Sequence, residues 1–194
     1  MPKRAIIGFA GIALALVTKD TLTEYQTEAG VQLLHAGSMN RTVKESKQDV
    51  YYDNNLYAQI RDVTGEEVEI RVAEAPMAQL QALGLGVYDA ASETFEGEFA
   101  VAGKSYALRW VGDTVDKLPF YFNYRVFDLT GIRFDNFTTR KDSASVCEVI
   151  ITGVFKKPQM ASLKPWAMMQ LKEDRSNEAA CLAFLTAAET RPEA

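Results

Sequence analysis

Side chains able to do covalent or metal chemistry are scarce in this chain of 194 residues, which has one His and two Cys. His35 sits in Leu33-Leu34-His35-Ala36-Gly37 with no Ser or Cys elbow beside it. A nucleophile here would lack a base titrating near neutrality, so His35 reads as a loop or edge residue. Cys147 and Cys181 make no CxxC pair, and with one His they cannot complete a zinc cage. Both read as free thiols of ordinary usage. Gly8-Phe9-Ala10-Gly11 imitates the end of a dinucleotide loop, but Ile6 stands where the first glycine is needed. Gly103-Lys104-Ser105 imitates the end of a phosphate loop, yet Glu98 occupies the place of its opening glycine. A turn before a strand is the expected role. Glu66-Glu67-Val68-Glu69 and Asp113-Thr114-Val115-Asp116 supply carboxylates, but neighbours on a strand face opposite sides, and Asp113 and Asp116 lack the glycine and terminal Glu of a calcium loop. They are expected to be solvated charge. Asn40-Arg41-Thr42 and Asn136-Phe137-Thr138 match glycosylation sequons by pattern alone. The chain is therefore expected not to be an enzyme, with no catalytic, cofactor-binding or metal-ligating residue.

The elements around these residues belong to an ordinary globular protein. With 47% hydrophobic and 24% charged residues the sequence is too apolar for disorder. A chain of this length can bury about 70% of its unfolded surface in one core, without disulfides or metals. The formal net charge of -5 argues against electrostatic capture of nucleic acid or an anionic membrane. Ala5 to Val17 is almost wholly apolar and follows Lys3 and Arg4, as in a secretory signal with Ala13-Leu14-Ala15 as its cleavage site. No polar region precedes that site, and the run is too short for a membrane span, which takes about 20 residues. A buried N-terminal strand is the better expectation.

Alternation of period two recurs along the chain. Val68, Ile70 and Val72 share one face while Glu67, Glu69 and Arg71 take the other; Tyr106, Leu108 and Trp110 repeat the pattern. Phe120, Phe122, Tyr124 and Val126 form a third face, with Tyr121 and Phe127 on its reverse. Cys147, Val149, Ile151 and Phe155 form a fourth, backed by Val146, Ile150 and Val154. The last two strands, apolar on both sides, should be central. Glu28-Ala29-Gly30, Asp53-Asn54-Asn55, Thr64-Gly65, Ala102-Gly103 and Thr130-Gly131 read as turns between antiparallel strands. Pro76, then Met77, Leu80 and Leu83, then Gly84 predict a short helix lying on the sheet. Ser176 can cap a C-terminal helix presenting Cys181, Phe184, Leu185 and Ala188 on one face. The expected fold is mainly β, an antiparallel β-sandwich or half-barrel with one short helix and a C-terminal helix. Residues 1–158 would form the β-domain, and 159–194 a C-terminal extension whose helix packs on it.

Val50-Tyr51-Tyr52-Asp53-Asn54-Asn55-Leu56-Tyr57, then Thr64 to Glu74, resembles the major tail tube proteins of long, noncontractile-tailed bacteriophages. In that family an Asp-Asn turn precedes a strand of alternating acidic and aliphatic residues, a short helix and a Leu-Gly step, which Met77 to Gly86 and Val87-Tyr88-Asp89 reproduce. Gly8 to Asp20 looks like the family's first strand, and Ala179 to Thr186 like the helix after its last. The similarity spans most of the chain and is dense from Val50 to Tyr88. Glu93 to Gly112 departs from the family's glycine-flanked hairpin, and Phe120-Tyr121-Phe122 is unusually aromatic.

The resemblance implies a structural virion protein: six copies in a ring, rings stacked into a tube, and a channel for genome delivery. It implies assembly in the host cytoplasm, with tape-measure, tail terminator and baseplate proteins as partners, no cofactor and no membrane. Six chains of charge -5 carry -30, and a wall of that sign lets DNA pass without specific binding. Rings in which each sheet continues into the next would also satisfy open strand edges. Between rings, the polar segment from His35 to Asp53 is a candidate arm, with Arg41, Lys44, Glu45, Lys47, Gln48, Asp53 and Asn54 as its contact residues; its alternative is an exposed hairpin without a partner. Two other functions remain open: another ring-forming virion β-protein, such as a tail terminator or head-to-tail joining protein, and a secreted carbohydrate-binding β-sandwich stacking sugars on Trp110, Trp166 and the Tyr121 region.

Overall fold

The computed structural model describes residues 6–33, 36–52, 55–73, 77–97, 103–134 and 148–192. His35, Asp53, Asn54, Pro76, Ala102, Val146, Cys147 and the Asn136 sequon lie outside them. The strands are β1 (Ile6–Asp20), β2 (Glu24–Thr27), β3 (Val31–Leu33), β4 (Ala36–Tyr52), β5 (Asn55–Ala73), β6 (Gly86–Asp89), β7 (Thr94–Gly97), β8 (Ser105–Thr114), β9 (Phe120–Phe134), β10 (Glu148–Lys156), β11 (Trp166–Gln170) and β12 (Thr190–Pro192). Two short helices join them, α1 (Met77–Ala82) and α2 (Glu178–Thr186). The main sheet runs β12-β2-β1-β8-β9-β10-β5-β4, with β3 added to β1 and β11 to β9, while β6 and β7 pair with each other. Every pairing among the described residues is antiparallel.

The expected mainly β, antiparallel fold is the observed one. The main core cluster gathers Ile12 and Leu14 of β1, Val68, Ile70 and Val72 of β5, Tyr106, Leu108 and Trp110 of β8, Phe127 of β9 and Ile151 and Phe155 of β10. These strands are consecutive in the sheet, and β1 also touches β4 at the far end of the order, so the sheet curls as in a half-barrel, with Leu80, Leu83 and Leu85 from α1 and its exit plugging the concave side. On the convex side Cys181 and Leu185 of α2 cover Ala13, Val111 and Tyr121. β1 is therefore the buried strand its apolar run predicts, with Ile12 to Ala15 at most 1% exposed. β9 lies between β8 and β10, and β10 between β9 and β5, so the two doubly apolar strands are central.

Several local expectations are corrected, mostly by β-bulges. Across β8 and β9, Tyr106 faces Phe127 and Leu108 faces Tyr124, which sets Arg125 and Val126 opposite the single Ala107. An extra residue reverses the alternation beyond it. Val126 consequently turns to the convex side with Tyr25 and Met160, and Phe127 enters the core. Thr64-Gly65 and Thr130-Gly131 are not turns. They lie inside β5 and β9, where Thr64 and Thr130 are the extra residues of two more bulges. Gly153 sits against such a site: a Cβ there would lie 2.4 Å from Phe127 Cζ and 2.5 Å from the Asp128 carbonyl oxygen.

Glu28-Ala29-Gly30 does join β2 to β3, and Tyr52 faces Asn55 across the end of the β4–β5 hairpin. α1 ends as expected at Gly84, whose φ of +66° lets its N–H reach the Gln81 carbonyl while Leu85 N–H reaches that of Leu80. Met77, expected on the buried stripe, is exposed. The N-cap of α2 is Asn177 rather than Ser176, and its side chain is spent elsewhere, accepting from Lys172 N–H and donating to the Gln170 carbonyl. Ala188 falls beyond the helix and is exposed.

Candidate assembly surfaces

Within β4 and β5 the residues expected to form the arm make one long ribbon. From Glu45 opposite Val63 to Tyr52 opposite Asn55, the two strands pair only with each other among the described residues, because β10 meets β5 no farther out than Glu66. At about 3.3 Å per residue this ribbon is on the order of 25 Å long. Lys44, Glu45, Lys47 and Gln48 all lie on β4, facing Gly65, Val63, Arg61 and Ile60 of β5. Asp53 and Asn54, which follow β4 in the sequence, fall outside the described residues.

Arg41, the remaining candidate, is engaged by its own chain. It stands on β4 opposite Val68 and reaches over the concave face. Its Nε donates to Glu66 Oε1 at 2.6 Å and its Nη2 to Tyr124 Oη at 2.8 Å. The guanidinium carbon lies 5.0 Å from the Tyr124 ring, 5.8 Å from Phe155 and 5.9 Å from Trp110, within range of cation–π attraction. The rings beneath form a stack: Trp110 on Phe122 at 4.8 Å, Trp110 on Tyr124 at 5.0 Å and Tyr124 on Phe155 at 4.2 Å. Burial raises the Tyr124 pKa, against the lowering effect of Arg41. Glu66, expected to be solvated, is instead 20% exposed and paired.

Trp166 of β11 continues the stack, 6.3 Å from Tyr124, and is 50% exposed. With Met168, also exposed, it lies on a strand paired only to β9 among the described residues. Trp110 is almost fully buried in the concave core and Tyr121 is buried under α2, so the three aromatics do not share a stacking platform.

A second polar constellation lies on the convex side and was not anticipated. Arg109 and Asn123 face each other across β8 and β9, and Arg125 follows at the bulge. Arg109 is 1% exposed; its Nη1 donates to the carbonyls of Leu185 and Ala187 at the end of α2, and its Nη2 to Thr27 Oγ1. It thereby satisfies carbonyls that a helix end leaves open. Arg125 spends every polar part on structure: its N–H donates to the Pro165 carbonyl, its C=O accepts from Tyr25 Oη at 2.6 Å, its Nη1 donates to the Lys164 carbonyl and its Nη2 to Glu189 Oε1. Asn123 Nδ2 holds the other Glu189 oxygen at 2.9 Å. Burial pushes the Glu189 carboxyl up, but the charge of Arg125 and hydrogen bonds from Arg191 and Asn123 outweigh it and hold the group below its ordinary value. The cluster fastens residues 185–192 along β2, with which β12 pairs. A cleft of about 240 Å³ beside it is lined by Arg109, Asn123, Phe184, Glu189 and Arg191. The signal in the sequence was Arg109, Asn123 and Arg125 interleaved on one face with the apolar Ala107, Val111 and Tyr121.

Among the described residues no group of three or more His, Cys, Asp or Glu is placed to hold a metal ion, and no helix is long and apolar enough to cross a membrane. No protein-family model matches the chain, and no curated protein does. Among solved structures, a chain of the six-fold symmetrised cryo-EM structure of the anti-feeding prophage baseplate is similar over 87% of this chain and 97% of its own, with 7% sequence identity and a TM-score of 0.43. That score is too low to carry the fold or role of the baseplate across.

Proposed function

We propose that this chain is a structural subunit of a phage tail, a tube-type protein that acts by repetition rather than by catalysis. Six copies would close a ring around a channel, and rings would stack with the β4–β5 ribbon reaching from one to the next. The observation that carries this reading is the ribbon itself. A two-stranded hairpin is marginal in water on its own, and this one extends eight residue pairs past the sheet with no third strand beside it among the described residues. Its tip sequence is the part of the chain where the tail-tube resemblance is densest. The edges of β4 and β11, open among the described residues, give further places for a neighbouring copy to pair.

Electron microscopy of the purified protein tests the reading, with rings or tubes expected for the intact chain. Replacing residues 46–62 by a two-residue turn should leave a folded subunit that forms no tubes. A strictly monomeric intact protein under conditions that assemble virions, or tubes of normal length from the shortened variant, would overturn it. A terminator or joining protein would share the rings but occur in far fewer copies per particle. The carbohydrate-binding alternative loses its platform, since Trp110 and Tyr121 are buried on opposite faces of the sheet.

A further inference from the structure

The ribbon leaves the half-barrel at a bulge. Glu66, opposite Phe155, is the outermost residue of β5 with a partner in β10. Lys44 then faces Gly65 and Glu45 faces Val63, so Thr64 has no partner across the ladder. A bulge breaks the regular hydrogen-bond ladder and bends the strand. Here it falls where, among the described residues, support from a third strand ends, which is where a hairpin can swing as a unit.

Immediately inside that bend stands Arg41. Its guanidinium grips Glu66, the last supported residue of β5, and lies over rings from β8, β9 and β10 while bonding Tyr124 Oη. One side chain on the outermost strand is thus tied to four other strands at the root of the ribbon. Its side chain is 35% exposed, so it plugs no cavity of the core. A planar fork that both stacks and pairs is a role lysine cannot fill.

We propose that residues 45–52 and 55–63 form an arm hinged at the Thr64 bulge, and that Arg41 is the latch fixing the arm's angle to the half-barrel. This stands on the geometry of the single chain and does not require the ring assembly.

Hydrogen exchange on the full chain, followed by mass spectrometry, tests it. In Arg41→Ala, amides of 45–52 and 55–63 should exchange at least tenfold faster, while those of 66–72 and 149–155 stay within twofold of the wild type. Arg41→Lys should resemble Arg41→Ala rather than the wild type. Unchanged exchange in the arm would overturn the proposal. So would equal acceleration in both regions, which would make Arg41 a general packing residue. If Arg41→Ala does not fold, Glu66→Gln, which removes the ion pair and keeps the ring contacts, should still quicken the arm about threefold; no change there would also overturn it.

Discussion

Removing the Glu189 carboxylate should unfasten the C-terminal segment at a cost that the structure allows to be estimated. Glu189 and Arg125 have side chains only 12% and 7% exposed, and their closest approach is 3.3 Å. Breaking a buried pair from one side typically costs about 3–5 kcal/mol, because the remaining charge stays desolvated. Arg125 keeps its bond to the Lys164 carbonyl, so the lower end applies, and Glu189→Ala should lose about 3 kcal/mol. For a domain of this size that is roughly 6–12 °C in Tm. The effect must also depend on pH. The folded carboxyl titrates below its ordinary value, so its contribution is complete above the unfolded value and fades as pH falls through the folded one. Calorimetry of the two proteins at pH 7 and pH 3 should find the full gap at neutral pH and a clearly smaller one in acid. The double variant Arg125→Met with Glu189→Leu should recover much of the loss. A gap under 2 °C at pH 7, or one that does not narrow at pH 3, would refute the assignment of the pair as the fastening.

Gly153→Ala should destabilise by about 1–3 kcal/mol, since the new methyl meets Phe127 and a backbone carbonyl rather than a flexible side-chain end; urea unfolding with an unchanged midpoint would contradict this. Reversing both Lys44 and Lys47 to Glu should shorten or abolish tubes seen by electron microscopy while circular dichroism stays as in the wild type, and tubes of unchanged length would remove these lysines from the contact between rings.

Much of the half-barrel was legible because its strands obey one rule over short distances. Val68, Ile70 and Val72 alternate cleanly with charged residues, and all three are buried. Legibility failed where one inserted residue changed the phase. Val126 looked like a continuation of Phe120, Phe122 and Tyr124 until the bulge turned it over. Thr-Gly pairs that punctuate turns elsewhere mark bulges within β5 and β9, because the same tolerance for irregular backbone serves both uses. The polar cluster was legible only as polar residues set among apolar ones on β8 and β9; its pairing was not, as Arg125 and Glu189 are 64 positions apart and are brought together by the packing of the C-terminal segment. Arg41 was legible as a residue of the arm region, but not as one that turns back onto Trp110, Tyr124 and Phe155.

β9 serves two neighbours on one flank: β11 along residues 120–124 and β10 along 126–134, the handover falling at Arg125. Trp166–Gln170 is therefore a side branch of the sheet, while the chain beyond it returns through α2 to the trunk, where β12 pairs with β2 at the end of the main sheet. Trimming β11 would bare one flank of β9 along residues 120–124 and leave the β9–β10 ladder whole, whereas removing residues 185–192 would strip acceptors from the buried guanidiniums of Arg109 and Arg125.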